Sequence, residues 1–317
     1  ARTPAEFRDL PDSADVFVEA RDLRREQREA GRANEDIVQK YGRWVREHYV
    51  AQAAARYRHA ATTALPFHER LVHFWSNHFA VSADKQPVPA VAGLYEQEAI
   101  RPNITGKFAD LLIAAEQHPA MILYLDNQRS VGPNSTAGRR ANRRQNERNV
   151  GLNENLAREI LELHTLGVDG GYAQEDVTTF AKVITGWSIG GGENRRFAEG
   201  EPGRFHFREV IHEPGDKQIM GKAYGQEGLA QGEAVLRDLA VDSKTADHIA
   251  SKLVRHFVAD QPPADMVASS APIPPMPGSP ISSTISGLSR WNSLANSTTP
   301  KPTDLAIVVG MDPSSSM

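Results

Sequence analysis

Apolar residues at helical spacing run from Val16 through Val50 and on toward Tyr57, interleaved with Arg, Glu and Gln. The pattern predicts two long amphipathic helices broken near Gly31. Pro66 opens the next helix at its first turn, where a missing N–H costs nothing, and that helix runs to about Ala80. Further helical patterns cover roughly 88–100, 105–117, 119–125, 153–166, 175–186, 228–239 and 243–259, with Pro119 at one start and Gly167 at one stop. Strand character is confined to 203–222, where Phe205-His206-Phe207 alternates and Glu213-Pro214-Gly215-Asp216 supplies turn chemistry. The expected fold is mainly α: a multi-helix orthogonal bundle with a small β-hairpin, forming one helical domain over 1–262.

Two segments break the periodicity. Residues 129–150 hold Arg129, Arg139, Arg140, Arg143, Arg144 and Arg148 among Asn, Gly and Ser, which predicts an exposed, mobile loop. No aromatic residues are interleaved there for base stacking, so a solvated loop is the better reading than a nucleic-acid contact. Residues 263–317 are rich in Ser, Pro and Thr and nearly free of acidic residues, and read as a linker-like or disordered tail.

Composition removes several classes of chemistry. The net charge of −4 gives no global reason to bind nucleic acid or an anionic membrane, and no apolar run is long enough to span a bilayer. With no cysteine there is no disulfide, thiolate nucleophile or cysteine-ligated metal. The chain begins at Ala1 with no charged and apolar leader, so an export signal has been removed or was never included. There is no G-x-S-x-G elbow, P-loop, dinucleotide fingerprint or H-E-x-x-H, so no nucleotide, flavin or haem cofactor is expected.

What remains is concentrated in 153–168, which puts three glutamates, an arginine, two asparagines and a histidine on a core-building helix. At a helical step of about 100° per residue from Asn155, Glu159 falls near about 40°, Glu162 near about −20° and Arg158 near about −60°, one shared face. Leu156, Ile160 and Leu163 form the adjoining packing face, while His164 points roughly opposite Glu162. Two readings stand side by side. One is a salt-bridge lattice built on Glu154–Arg158 and Arg158–Glu162, each worth only about 0.2–0.5 kcal/mol. The other is a cleft in which Glu159 and Glu162, kept ionised by Arg158, bind a cation or take a proton from water.

Other candidates surround this helix. His78 lies on the apolar face of the 66–79 helix, either a satisfied core histidine or a ligand or base; Glu69 and His73, one turn apart, are a weaker ligand pair. Asp126 ends the apolar run 121–125 as a turn former or as the acid that meets the Glu-rich helix. Residues 169–176 have the oxygen donors of a calcium loop without its ligand spacing, so a turn and helix start is expected. Trp187, His206 and His212 complete the set that could line a cleft.

The motifs Glu69-Arg70-Leu71-Val72-His73-Phe74-Trp75-Ser76-Asn77-His78-Phe79, Ala99-Ile100-Arg101-Pro102-Asn103, His118-Pro119-Ala120-Met121-Ile122-Leu123-Tyr124-Leu125-Asp126, the 153–172 segment and Thr185-Gly186-Trp187 occur in order. In these the chain, over about 60–262, resembles the bacterial domain-of-unknown-function 1800 family. The resemblance implies a mostly helical exported protein, periplasmic or extracellular, often encoded beside a sulfatase-like partner, and supplies no agreed reaction. Its motif includes Asn77, His78, Asp126, Asn153, Glu154, Asn155, Arg158, Glu159, Glu162, Gly167, Trp187 and a histidine near His212, which favours a shared site on the polar helix. Relatives continue with more helices after 252–258, so the chain reads as a truncated member with an atypical end.

The resulting expectation is a metal-dependent hydrolase of an ester, lactone or amide in a small or extracellular substrate. Glu159, Glu162, Asp126 and His78 are its catalytic candidates; Arg158, Asn155, Trp187 and His212 contact substrate; Glu159, Glu162, Asp126 and His164 hold a divalent ion such as calcium or zinc. The alternative is a non-catalytic exported scaffold that binds a partner protein or a surface polymer.

Overall fold

The computed structural model describes residues 3–30, 35–143, 151–191 and 199–270. The chain is mainly α. Two long helices, α1 (Ser13–Glu29) and α2 (Glu35–Thr62), flank the break expected near Gly31, and α3 (Pro66–His78) starts on its proline. α4 (Ala92–Tyr95) runs into a π turn at Glu96–Ile100, and α5 (Phe108–Glu116) and α6 (Pro119–Tyr124) follow. After α7 (Thr136–Arg143), α8 (Asn155–Glu159) runs into a second π turn at Ile160–His164. The chain then forms α9 (Gln174–Val183), four three-residue strands, α10 (Leu229–Ala240), α11 (Ser243–Phe257) and α12 (Ala264–Ser270). The core centres on α5, α6, α8 and α9, where Leu111, Leu112, Met121, Ile122, Leu156, Ile160, Leu161 and Phe180 are fully buried.

The strand region is more divided than a single hairpin. β2 (Phe205–Phe207) pairs antiparallel with β1 (Trp187–Ile189), while β3 (Lys217–Ile219) and β4 (Lys222–Tyr224) form a separate pair turned at Met220-Gly221. The Glu213–Asp216 turn therefore joins two sheets instead of closing one hairpin. The basic segment also departs from expectation, because 136–143 is helical. Ser135 accepts the Gly138 N–H at 3.0 Å, the N-terminal cap such a start requires, and the arginines stay on the outside. Residues 144–150 lie outside the described residues, as does the tail from 271 on; its first part, Ala264–Ser270, is an exposed helix.

The π turn at 160–164 departs from the uniform step of about 100° and moves one residue, Leu163, off the face expected for it. Ile160, Leu161, His164 and Thr165 are all buried; an ordinary helical step would also gather them within about 140° of one side, so the wider turn keeps the inward face that the periodicity indicates. Leu163 is left 42 % exposed, off the packing face predicted for it. The Thr165 hydroxyl closes the turn on the Ile160 carbonyl at 2.6 Å, and Gly167, at φ 86, ends it. Leu161→Ala should therefore cost about 2–5 kcal/mol in chemical denaturation, and Leu163→Ala no more than about 0.5. Equal costs for the two would contradict this burial pattern.

The other π turn serves a buried ion network. Arg101 donates to both oxygens of Glu69, at 2.6 and 2.7 Å, and to Glu96 at 3.0 Å. Glu96 also lies 2.8 Å from Arg56 and accepts from Ser76 at 2.9 Å. Glu69 is thus occupied by Arg101, and His73, 3.7 Å away, is a peripheral member of the network.

Candidate functional site

The polar helix divides its residues between two tasks. At its start, Asn153 accepts the Asn155 N–H at 2.9 Å and donates to the Leu125 carbonyl at 2.9 Å. Asn155 itself is exposed. Arg158 pairs with Glu154 at 3.2 Å and donates to Gln174 at 2.9 Å, and Glu154 accepts from Thr178 at 2.7 Å. This is a surface lattice tying α8 to α9, and the Thr178 hydrogen bond is the main reason the Glu154 carboxyl sits below its ordinary value. Arg158 does not pair with Glu162 or Glu159 among the described residues.

Those two glutamates are left over. Both are half-buried, and neither makes a hydrogen bond or ion pair among the described residues. Burial raises the Glu159 carboxyl above the usual range; His164 opposes that rise, while Glu162 and Glu116 add to it. Glu159 in turn helps burial push the Tyr124 hydroxyl up, which places the two side chains on a common patch. Asp126 ends α6 in the left-handed conformation, φ 58, and is held by Lys85 at 2.5 Å. It is the turn former of the two expected roles, with its charge already neutralised.

Beneath the patch lies a polar cluster absent from the sequence-based reading. Glu116, the last residue of α5, is fully buried, with Oε1 2.7 Å from His164 Nδ1. The ring N–H is not aimed along that line, so the contact is a close electrostatic one and neither Glu116 oxygen receives a directed hydrogen bond. The buried Tyr95 hydroxyl is equally unpartnered, and burial followed by the Glu116 charge pushes it well up. His78 puts Nε2 3.1 Å from the His164 carbonyl, and burial, then Lys252 and His164, holds it well below the ordinary imidazole value. His78 and His164 are therefore inward groups under the polar helix, not surface ligands beside it.

A cleft of about 540 Å³ opens elsewhere, between the start of α7, the end of β2 and the 214–216 and 225–228 turns. His212 lines it and is fixed from behind, its Nδ1 2.8 Å from the Thr185 carbonyl. Burial, with help from Lys217, keeps this imidazole below its ordinary value against the pull of that hydrogen bond and of Glu213 and Glu209. Buried Glu213 receives the Asn134 backbone and side-chain N–H groups at 2.7 and 2.6 Å and donates its own N–H to the Thr185 hydroxyl at 2.8 Å. Gly186 (φ 92) and Gly132 let these strands approach, since a Cβ on Gly132 would lie 2.7 Å from Glu213 Cα. Trp187, next in the Thr185-Gly186-Trp187 motif, is fully buried in the core against Gly232 and Phe205 and does not line the His212 cleft.

Residues 2–273 match the model of a family described as a protein of unknown function, DUF1800. The chain belongs to the DUF1800 family. No curated protein and no solved structure matches it. No helix among the described residues of this DUF1800 protein is long and apolar enough to cross a membrane.

Three groups of residues singled out in the sequence thus have different surroundings. Asn153, Glu154 and Arg158 hold the helix in place; Glu159 and Glu162 are half-buried and unpaired among the described residues; His212 lines the cleft, with Thr185 behind it. Among the described residues no three His, Asp or Glu side chains gather so as to hold a metal ion. The proposed ligand set is dispersed: Asp126 toward Lys85, His164 toward Glu116, Glu159 and Glu162 outward. Asn127, missed in sequence, is fully buried and donates to the carbonyls of Ile184 and Trp187, both at 3.1 Å. An Asn after a left-handed Asp was its only signal.

Proposed function

We propose that the protein is an exported hydrolase of an ester, lactone or amide bond in a small or extracellular substrate, with its chemistry on Glu159 and Glu162. The observation behind this is the absence of partners: a structural lattice pairs its charges, as Glu154 and Arg158 do, whereas Glu159 is half-buried with none among the described residues. A carboxyl raised by burial keeps its proton closer to neutral pH and can give it to a leaving group. Glu162, one turn on, is placed to take a proton from the attacking water, the division of labour used wherever two nearby carboxyls differ in environment. The ligand set imagined for calcium or zinc does not fit these residues, and no step is routed through a metal. Substrate contact falls to the groups around the pair, Tyr124 and Asn155.

The second reading is an exported scaffold for a partner protein, such as the sulfatase-like one implied by the resemblance, or for a surface polymer. The satisfied Glu154–Arg158–Gln174–Thr178 lattice favours it. A panel of chromogenic esters, lactones and amides, assayed with wild type, Glu159→Gln and Glu162→Gln, separates the two. The hydrolase reading expects turnover by wild type and a loss of about 10²-fold or more in Glu159→Gln at unchanged melting temperature. It expects no dependence on chelator. Turnover equal in all three proteins would remove Glu159 and Glu162 from the chemistry, and a fall in melting temperature alone would assign them to the scaffold.

A further inference from the structure

His212 is more than nine-tenths buried, yet it lines the 540 Å³ cleft. Its Nδ1 faces the Thr185 carbonyl and so carries the ring proton, which leaves Nε2 as a lone pair. Nε2 makes no hydrogen bond among the described residues and is the ring atom left for the cleft. Fixing one imidazole nitrogen on a carbonyl so that the other points at a ligand is a recurring way to orient a histidine. Here the support extends further, because Glu213 is joined to Thr185 by a short buried bond and to Asn134 by two short part-buried ones. The wall is pre-formed, and its volume lies within the range of small-molecule pockets, about 300–1,000 Å³.

The remaining lining carries charges of both signs. Thr136 and Arg139, from the start of α7, offer a hydroxyl and a guanidinium; Glu209, just after β2, and Glu227, from the 225–228 turn, offer carboxylates; Phe207 offers an apolar face. None of these three charged side chains is in an ion pair among the described residues. A lone pair and carboxylates call for a donor with positive charge, and a guanidinium beside a hydroxyl calls for an anion. We propose that this cleft binds a small zwitterion of the amino-acid class, its ammonium group on His212 Nε2 and the Glu209 and Glu227 carboxylates, its carboxylate on Arg139 and Thr136. Phe207 then receives the ligand's apolar side chain. The inference is independent of any chemistry at Glu159.

Titrating the full chain with leucine, 4-methylpentanoate and 3-methylbutylamine, while following the imidazole signals by NMR, tests it. The last two probes keep the branched tail and drop the ammonium or the carboxylate. His212→Gln identifies the His212 signals. The expected result is a saturable shift of those signals with leucine and affinities about tenfold weaker or less for each half-ligand. Arg139→Gln, an exposed change, should erase the advantage of leucine over the amine, and the pair Glu209→Gln and Glu227→Gln its advantage over the acid. No saturable shift with leucine, or equal binding of either half-ligand by wild type, would overturn the proposal.

Discussion

Arg101→Met should destabilise the protein by about 3–5 kcal/mol in chemical denaturation, because it takes from Glu69 the guanidinium bound to both its oxygens and leaves Glu96 with Arg56 alone. Both acids are nearly inaccessible, so water cannot replace the guanidinium. Converting Glu69 to Gln in the same chain should recover part of the loss, since the penalty lies in the unpaired charge more than in the missing attraction. The effect should also depend on pH. Burial pushes the Glu69 carboxyl up, and the hydrogen bonds and charge of Arg101, with His59 and His73, carry it below its ordinary value. A depressed carboxyl contributes stability that is fully present above the ordinary carboxylate range and is lost as pH falls through its folded value. Wild type should lose stability on acidification that Arg101→Met has already lost, so the gap between them should narrow below about pH 4. A gap that stays constant down to the acid transition would argue against the pair as its source.

Trp187→Ala should cost a similar amount, about 3–5 kcal/mol, with Trp187→Phe costing distinctly less. The indole is fully buried, stands edge-on to Phe205, and lies so close to α10 that a Cβ on Gly232 would sit 2.6 Å from it. Its carbonyl also accepts from Asn127, so the residue ties β1 to the turn after α6. A residue that contacted substrate would instead leave the denaturation midpoint unchanged on truncation. Gly232→Ala should destabilise through the same contact from the other side.

Sequence periodicity located the helices because each buries one stripe: Val16, Phe17 and Ala20 on α1, Leu71, Val72, Phe74 and Trp75 on α3. It failed where stability comes from elsewhere. Helix α7 has almost nothing apolar to bury and rests on the Ser135 cap, and β2 takes its partner from across a long insertion, which no local pattern reveals. The candidate site was half legible. A uniform helical step brought Glu159 and Glu162 to one face and put His164 opposite Glu162, the side on which it is buried against Glu116, yet it misassigned Leu163, since the step changes at Ile160. Glu116 carried a usable signal: it follows Leu112 by one turn on the face that α5 buries, a charged residue in line with the core. The bonds among Thr185, Glu213 and Asn134 left no such trace, because they join segments far apart in the chain.

The π turns at Glu96–Ile100 and Ile160–His164 make these two stretches sensitive to length in a way that composition does not reveal. Each holds one residue more per turn than the helix feeding it. Removing a single residue between Ile160 and Leu163 would leave every motif letter nearly intact, yet it would restore ordinary helical phase. His164 would stay on the inward side but be drawn along the helix by one residue's rise, about 1.5 Å, off its contact with Glu116. Across relatives, the segment should therefore tolerate exchange of one side chain for another far better than a one-residue gap.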